Sequence, residues 1–269
     1  MVDERPIGVF DSGVGGLTVL RAIRDRLPGE ATIYVGDLLH FPYGPRYQEE
    51  VKGFAFDIIR YLESRDVKLV VIACNTATAA ALNQAREVFD VPIIGVISPG
   101  AQAAVEATRK NLVGVISTEG TRLSQEYLHA IKEIDPMIGV YQKACPELVE
   151  IVERGDADTP GAEQALKRDL EEIVRVGADV LVLGCTHYPL LKPAIERVYP
   201  GALTLVDSAQ TTAATVQRRL QKARMLNDAD GSGRPHELLV TAAPQQFQKV
   251  AEILFGDQIP DLREINLWD

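Results

Sequence analysis

The sequence predicts an α/β protein built as two similar lobes, each with a mainly parallel sheet flanked by helices. Three observations predict it. Short apolar runs alternate with amphipathic segments along the chain, polar and nucleophilic residues collect just after the apolar runs, and one strand–cysteine–helix pattern occurs twice, as LVVIACNTATAA and VLVLGCTHYPLL. Repeated βα alternation implies parallel strands joined by crossover helices, with ligands held at the carboxyl ends of the strands.

The elements follow in order. Nine runs read as strands: IGVF (7–10), TIYVG (32–36), KLVVIAC (68–74), VPIIGVI (91–97), NLVGVIS (111–117), IGVY (138–141), DVLVLGC (179–185), LTLVD (203–207) and ELLVT (237–241). Each is short and rich in β-branched residues. Between them, 16–27, 49–64, 76–89, 163–177 and 209–223 carry the apolar period of amphipathic helices. NDADGSGRPH (227–236) is the loop-like stretch and reads as a surface turn. Nine strands fit two sheets better than one, which places the first lobe at 1–97 plus 208–269 and the second at 98–207.

Composition narrows the function classes. With 269 residues and 46% hydrophobic residues the chain can bury a substantial core. No apolar stretch approaches the roughly 18 residues of a membrane span, and MVDERPIGVFDSG lacks a basic segment followed by a long apolar run, so a cytoplasmic enzyme with no membrane partner is expected. A net charge of −10 with scattered Lys and Arg argues against nucleic acid as a partner. Three widely spaced cysteines, Cys74, Cys145 and Cys185, read as reduced thiols rather than a disulfide framework.

The residues just after the strands are Asp11 and Ser12, Asp37, Cys74 to Thr76, Ser98, Ser117 and Thr118, and Cys185 to His187. GVFDSGVGGLTVL invites a dinucleotide reading, with Asp37 about where a ribose-binding acid would stand. However, Thr18 occupies the third glycine's place, and no lysine supplies a phosphate-binding loop. The glycines instead let the helix start tightly against the strand while Asp11 and Ser12 project toward a ligand.

Four readings of the cysteines stay open on residues alone. They can be small core residues, which is the reading for Cys145. Cys74, Cys185 and His187 can ligate a metal, although no C-x-x-C or H-x-x-x-H pair supports it. Cys185 with His187 can form an acyl-transfer nucleophile, which leaves Cys74 without a role. Finally, Cys74 and Cys185 can act together, a thiolate taking a proton from carbon while a thiol delivers one to the opposite face. Such chemistry needs fixed donors for the developing charge; Asn75, Thr76 and Thr186 beside helix starts suit that, and Asp11 and His187 can each handle a proton beside one thiol.

FDSGVGGLTVL, YVGD…FPYG, ACNTATA and GCTHYPLL, in this order over residues 6 to 220, together resemble the glutamate racemase family, the cofactor-independent aspartate/glutamate racemases. The resemblance implies pseudo-two-fold related lobes with the substrate in the cleft between them, no cofactor and no metal, a homodimer, and supply of D-glutamate for peptidoglycan. It implies Cys74 as the base acting on D-glutamate and Cys185 as the base acting on L-glutamate, assisted by Asp11 and His187. Ser12, Tyr43, Gly44, Asn75, Thr76, Thr186 and His187 match substrate-binding positions. Thr118, Thr121 and Glu153 fall where the family has polar cleft residues, and Asp37 belongs to the YVGD motif as an auxiliary group. The plainer readings are a proline turn for Tyr43 and Gly44, caps of a helix starting near Arg122 for Thr118 and Thr121, and exposed acids for Asp37 and Glu153. His40, His129 and His236 read as structural. The chain departs from the family at LLHFPYG, where Arg and small residues often precede PYG, and at ACPELVE, where an aromatic residue usually follows ACP.

Overall fold

The computed structural model describes residues 3–227, 235–256 and 261–268. The segment 228–234, most of the stretch read as a surface turn, lies outside the described residues. The chain divides into two compact units, Met1–Val96 with Ala209–Asp269, and Ile97–Ser208.

The first unit is a six-stranded sheet ordered β10-β9-β2-β1-β3-β4, formed by β1 (Ile7–Asp11), β2 (Thr32–Gly36), β3 (Leu69–Ile72), β4 (Ile93–Gly95), β9 (His236–Val240) and β10 (Asp261–Glu264). Every pairing is parallel. Helices cover both faces, which is why the strands read as unbroken apolar runs rather than alternating ones. Leu69, Val71 and Ala73 join one core with α1 (Leu17–Arg26), α10 (Ser208–Ala223) and α11 (Pro244–Phe255). Their neighbours Val70, Ile72 and Cys74 turn to the other face, under α2 (Gln48–Ser64) and α3 (Asn75–Val88). This alternation, carried past the strand's end, sets the direction of Cys74.

The second unit is a four-stranded parallel sheet ordered β6-β5-β7-β8: β5 (Leu112–Ser117), β6 (Gly139–Ala144), β7 (Val180–Gly184) and β8 (Thr204–Asp207). Leu181, Leu183 and Cys185 share a core with α7 (Pro146–Glu153), α8 (Pro160–Arg175) and α9 (Lys192–Val198). On the opposite face α4 (Ile97–Ala107) packs against β7 and against α6 (Glu126–Ile134). The order β2-β1-β3-β4 of the first sheet thus recurs as β6-β5-β7-β8, and each cysteine pattern follows the third strand of its set.

All nine strands expected from sequence are present. The fourth is shorter than its apolar run: β4 ends at Gly95 and α4 begins at Ile97, because Pro99 falls in a first helical turn, where its missing N–H costs nothing. The tenth strand, β10, escapes a sequence reading because its four residues include three charged ones.

At the amino end of the first sheet a buried ion pair ties distant segments together. Lys68 Nζ lies 2.5 Å from Glu30 Oε2, with both side chains essentially unexposed. The ammonium also donates to the carbonyls of Asp3 and Met225, each at 2.8 Å. Glu30 Oε1 accepts the Asn227 amide at 2.8 Å. Removing one partner from such a pair leaves an uncompensated buried charge, at about 3–5 kcal/mol. Lys68→Met is therefore expected to lower the urea-unfolding free energy by about that amount, and adding Glu30→Gln should recover part of the loss. A single-variant loss within about 0.5 kcal/mol of zero, the usual range for surface changes, would show that the pair has no structural weight.

Candidate functional site

In the first unit the carboxyl ends of four neighbouring strands, β9, β2, β1 and β3, present Thr241, Asp37, Asp11 with Ser12, and Cys74. Backbone bonds continue the ladder through this row: Asp37 N donates to Asp11 O, Thr241 N to Gly36 O, and Ala73 N to Phe10 O. The row is held by the sheet itself.

Asp11 is fully buried, and its Oδ2 accepts the amides of Gly13 and Gly16, both at 3.1 Å. A Cβ on Gly16 would lie 2.4 Å from Asp11 Cβ and 2.7 Å from the Tyr34 hydroxyl, so only glycine lets the loop close on this carboxylate. Tyr34 in turn donates to Gly13 O at 2.7 Å. Burial, with the charges of Asp11 and Cys74 adding to it, holds the Tyr34 phenol well above its ordinary pKa.

Cys74 caps α3. Its Sγ accepts the Ala77 amide at 3.4 Å and lies 3.7 Å from Ser12 Oγ. A sulfur at a helix N-terminus meets backbone N–H groups and the positive end of the helix dipole, both of which favour a thiolate. Asn75 and Thr76 open the helix and are buried.

Asp37 is not an exposed acid. Fully buried, it accepts from the Tyr43 hydroxyl at 2.6 Å and from Thr241 Oγ1 at 2.9 Å, and His40 Nδ1 stands 2.9 Å away. The His40 ring stacks on Phe54 at 3.9 Å between centroids and meets Trp268 edge-on at 4.4 Å. Tyr43, whose phenol is raised by burial and by Asp37, also feels the charges of Cys74 and Asp11. Gly44 follows it in the same loop.

The second unit holds its own set. Cys185 directly follows β7, and Thr186 and His187 lead into a 3-10 turn, Tyr188–Leu191. All three are buried. Cys185 Sγ lies 3.7 Å from His187 Nδ1, and His187 Nε2 lies 2.5 Å from Glu153 Oε1 at the end of α7. Burial alone would lower the imidazole pKa, but the bonds to Cys185 and Glu153 and their charges outweigh it and raise His187 to about 10. A cationic imidazole therefore stands beside the sulfur at neutral pH. Glu153, whose plainer reading from sequence is an exposed acid, makes this pair.

Thr118 caps the short helix α5 (Glu119–Ser124), accepting the Thr121 amide at 3.3 Å and donating to Thr121 Oγ1 at 3.0 Å. Thr118 thus caps this helix, which starts at Glu119 rather than near Arg122. Cys145 lies at the end of β6, where burial and then Asp169 push its thiol up to about 12, so it stays protonated at neutral pH.

Sequence reasoning passed over Tyr34 and Thr241. Thr241 ends the run ELLVT and directly follows β9, so the rule that singled out the other strand-end residues could have found it. Tyr34 sits inside a strand and carries no such signal.

Comparison with known proteins places these residues in context. The Asp/Glu/hydantoin racemase family matches residues 8–216. A glutamate racemase of Lactiplantibacillus plantarum is 42% identical over 95% of this chain and 94% of its own. The crystal structure of glutamate racemase RacE1 from Bacillus anthracis has a TM-score of 0.94 at 40% identity, covering 98% of each chain. That of the Francisella tularensis glutamate racemase in complex with D-glutamate has a TM-score of 0.91 at 32% identity, covering 99% of each.

The His187 geometry sets a pH dependence. Its folded pKa, about 10, exceeds the roughly 6.5 of an unfolded chain, so the stabilisation from its partners is fully present below about pH 6.5 and is lost as pH rises through 10. Unfolding free energy should fall between pH 7 and 10. In Glu153→Gln the His187 midpoint, followed by NMR of the ring, should drop by about one unit or more, roughly 1.4 kcal/mol per unit, and the fall in stability should shrink with it. An unchanged midpoint would show that Glu153 does not hold the proton.

Proposed function

This chain belongs to the Asp/Glu/hydantoin racemase family, and on that premise we propose that it interconverts L- and D-glutamate by a two-thiol proton transfer at Cα without a cofactor. One observation carries the mechanism: in each unit, after the third strand of the same strand order, a buried cysteine stands at the carboxyl end with hydrogen-bonding groups around it. A single nucleophile would need only one such place.

In the proposed reaction one cysteine, as thiolate, takes the α-proton, and the other, as thiol, delivers its own proton to the opposite face of the planar carbanion. The bond to hydrogen broken on one face is replaced on the other, and the two sulfurs exchange protonation states. Cys74 acts on D-glutamate and Cys185 on L-glutamate. Ser12 and Asp11 serve the first thiol, and His187 with Glu153 the second. Asn75, Thr76, Thr118, Thr121, Thr186, Tyr43 and Gly44 orient the substrate. The relatives' names support glutamate as that substrate, as does the D-glutamate bound to the Francisella tularensis enzyme. Acidity is the hard part: a proton next to a carboxylate is a very weak acid, so donors at helix starts must meet the enolate-like charge as it forms. In the cell, we propose, the enzyme is a cytoplasmic homodimer that supplies D-glutamate for peptidoglycan. Among the described residues no helix is long and apolar enough to cross a membrane.

The test is incubation of the purified protein with L-glutamate in D₂O, following optical rotation and the α-hydrogen NMR signal together. Rotation should decay as deuterium enters Cα. Cys74→Ala and Cys185→Ala should each lower the racemisation rate by about 10²–10⁴-fold, the usual weight of a positioned acid or base. Wild-type racemisation in both variants would refute the two-thiol mechanism, and persistence of rotation and α-signal with folded wild-type protein would refute glutamate racemisation.

A further inference from the structure

A second cluster of charge lies at the other end of the first sheet. Parallel topology sends α1 back from the carboxyl end of β1, so Arg21, Arg24 and Asp25 near its end meet His236, which opens β9, at the amino ends of the strands. With Phe255 at the end of α11 they line a cavity of about 300 Å³. That volume is at the lower end of small-molecule sites.

The electrostatics of this cavity are unbalanced. Arg24 Nη1 is buried and has no hydrogen-bond partner. The guanidinium lies over the Phe255 ring, 4.8 Å from its centroid, so one face is covered by an aromatic surface. Asp25, the acid next in sequence, stands 3.7 Å from Arg21 at the exposed rim. His236 adds no charge at neutral pH, since burial and then the charge of Arg24 depress it to about 4, and its Nδ1 lies 2.9 Å from Thr32 Oγ1. Among the described residues no carboxylate forms an ion pair with Arg24. A buried guanidinium N–H left unmatched is costly, and the partners that match a guanidinium fork are carboxylate and phosphate oxygens.

We propose that this cavity is a second binding site, for a small molecule bearing a carboxylate or phosphate group, whose oxygens accept from Arg24. The site lies at the opposite end of the strands from Cys74 and is independent of the racemase reaction proposed above.

The test uses the full chain with ¹⁵N-labelled histidine, titrated at constant ionic strength with sodium phosphate and, separately, sodium acetate. His236 reports on the cavity, while His187 reports on the residues assigned to catalysis. The expected result is a saturable shift of the His236 ring signals with those of His40, His129 and His187 unmoved. Arg24→Gln should weaken the binding by at least about tenfold, and Arg24→Lys, which keeps the charge without the fork, by less. If Arg24→Gln does not fold, the wild-type titration and Arg24→Lys still decide. A response to phosphate alone assigns the site to phosphate esters, and one to acetate alone to carboxylates; a response to both identifies a general oxyanion site. No shift of His236 with either anion would overturn the proposal, as would equal binding by Arg24→Gln. Racemisation of L-glutamate by the same samples reads the proposed reaction separately, so failure of one does not imply failure of the other.

Discussion

Both sheets are parallel throughout and covered by helices on both faces, and nearly everything functional in the molecule follows from that burial. A strand buried on two sides offers no interior position for a charged or nucleophilic group, because each such group would need a partner the apolar core cannot give. Polar chemistry is displaced to the strand ends. At the carboxyl end the chain must also turn into a helix, and the unpaired N–H groups of its first turn are available to whatever side chain stands there. Cys74 is the clearest case: strand alternation sets its direction, and the start of α3 supplies the N–H that its sulfur accepts.

The repeated strand order explains why two cysteines occupy equivalent places, but it does not make their surroundings equal. Cys74 meets neutral groups in the Ser12 hydroxyl and the Ala77 backbone amide. Around Cys185 the partner is an imidazole whose pKa the sulfur itself and Glu153 together raise. These differences come from the segments that do not repeat. His187 falls in a 3-10 turn rather than in a long helix like α3, and Glu153 arrives from α7, a helix with no counterpart in the ACNTATA stretch. The sheet order fixes where a thiol can stand, and the connections tune it. Two sulfurs with unlike partners suit a reaction in which one begins as thiolate and the other as thiol.

Much of this was legible in the sequence because strands buried on both faces leave continuous apolar runs, and the row of residues after those runs contains both thiols, Asp11, Ser12 and His187. What was not legible is burial of acids. A lone Asp or Glu in a loop carries no mark of whether donors converge on it. Asp37 has donors three and six residues away in the local sequence DLLHFPY, but its Thr241 bond spans 204 positions. Glu153 meets His187 across 34 positions, from a helix whose period says nothing about that contact. The extent of β4 failed differently. Apolar character continues into Ile97, and only the tolerance of a helix's first turn for proline distinguishes a helix start from more strand.

The amino end of the first sheet shows why an unmatched cation there is informative. Lys68 and Arg24 both bring positive charge to that end. Lys68 donates to the carbonyls of Asp3 and Met225, and its ammonium lies 2.5 Å from the Glu30 carboxylate as an ion pair. The fold can therefore offset the charge of a buried cation at this edge with its own carboxylate and its own backbone. At Arg24 the nearby acid, Asp25, contributes its charge but pairs with Arg21, and the guanidinium borders a cavity. Simple misplacement of a surface arginine does not account for this, since a long flexible side chain with no partner would extend its head to water. Phe255 holds the guanidinium in place over the ring while leaving an N–H unanswered. A group that is positioned, charged and incompletely bonded beside an open volume is the arrangement that distinguishes a binding site from a structural ion pair.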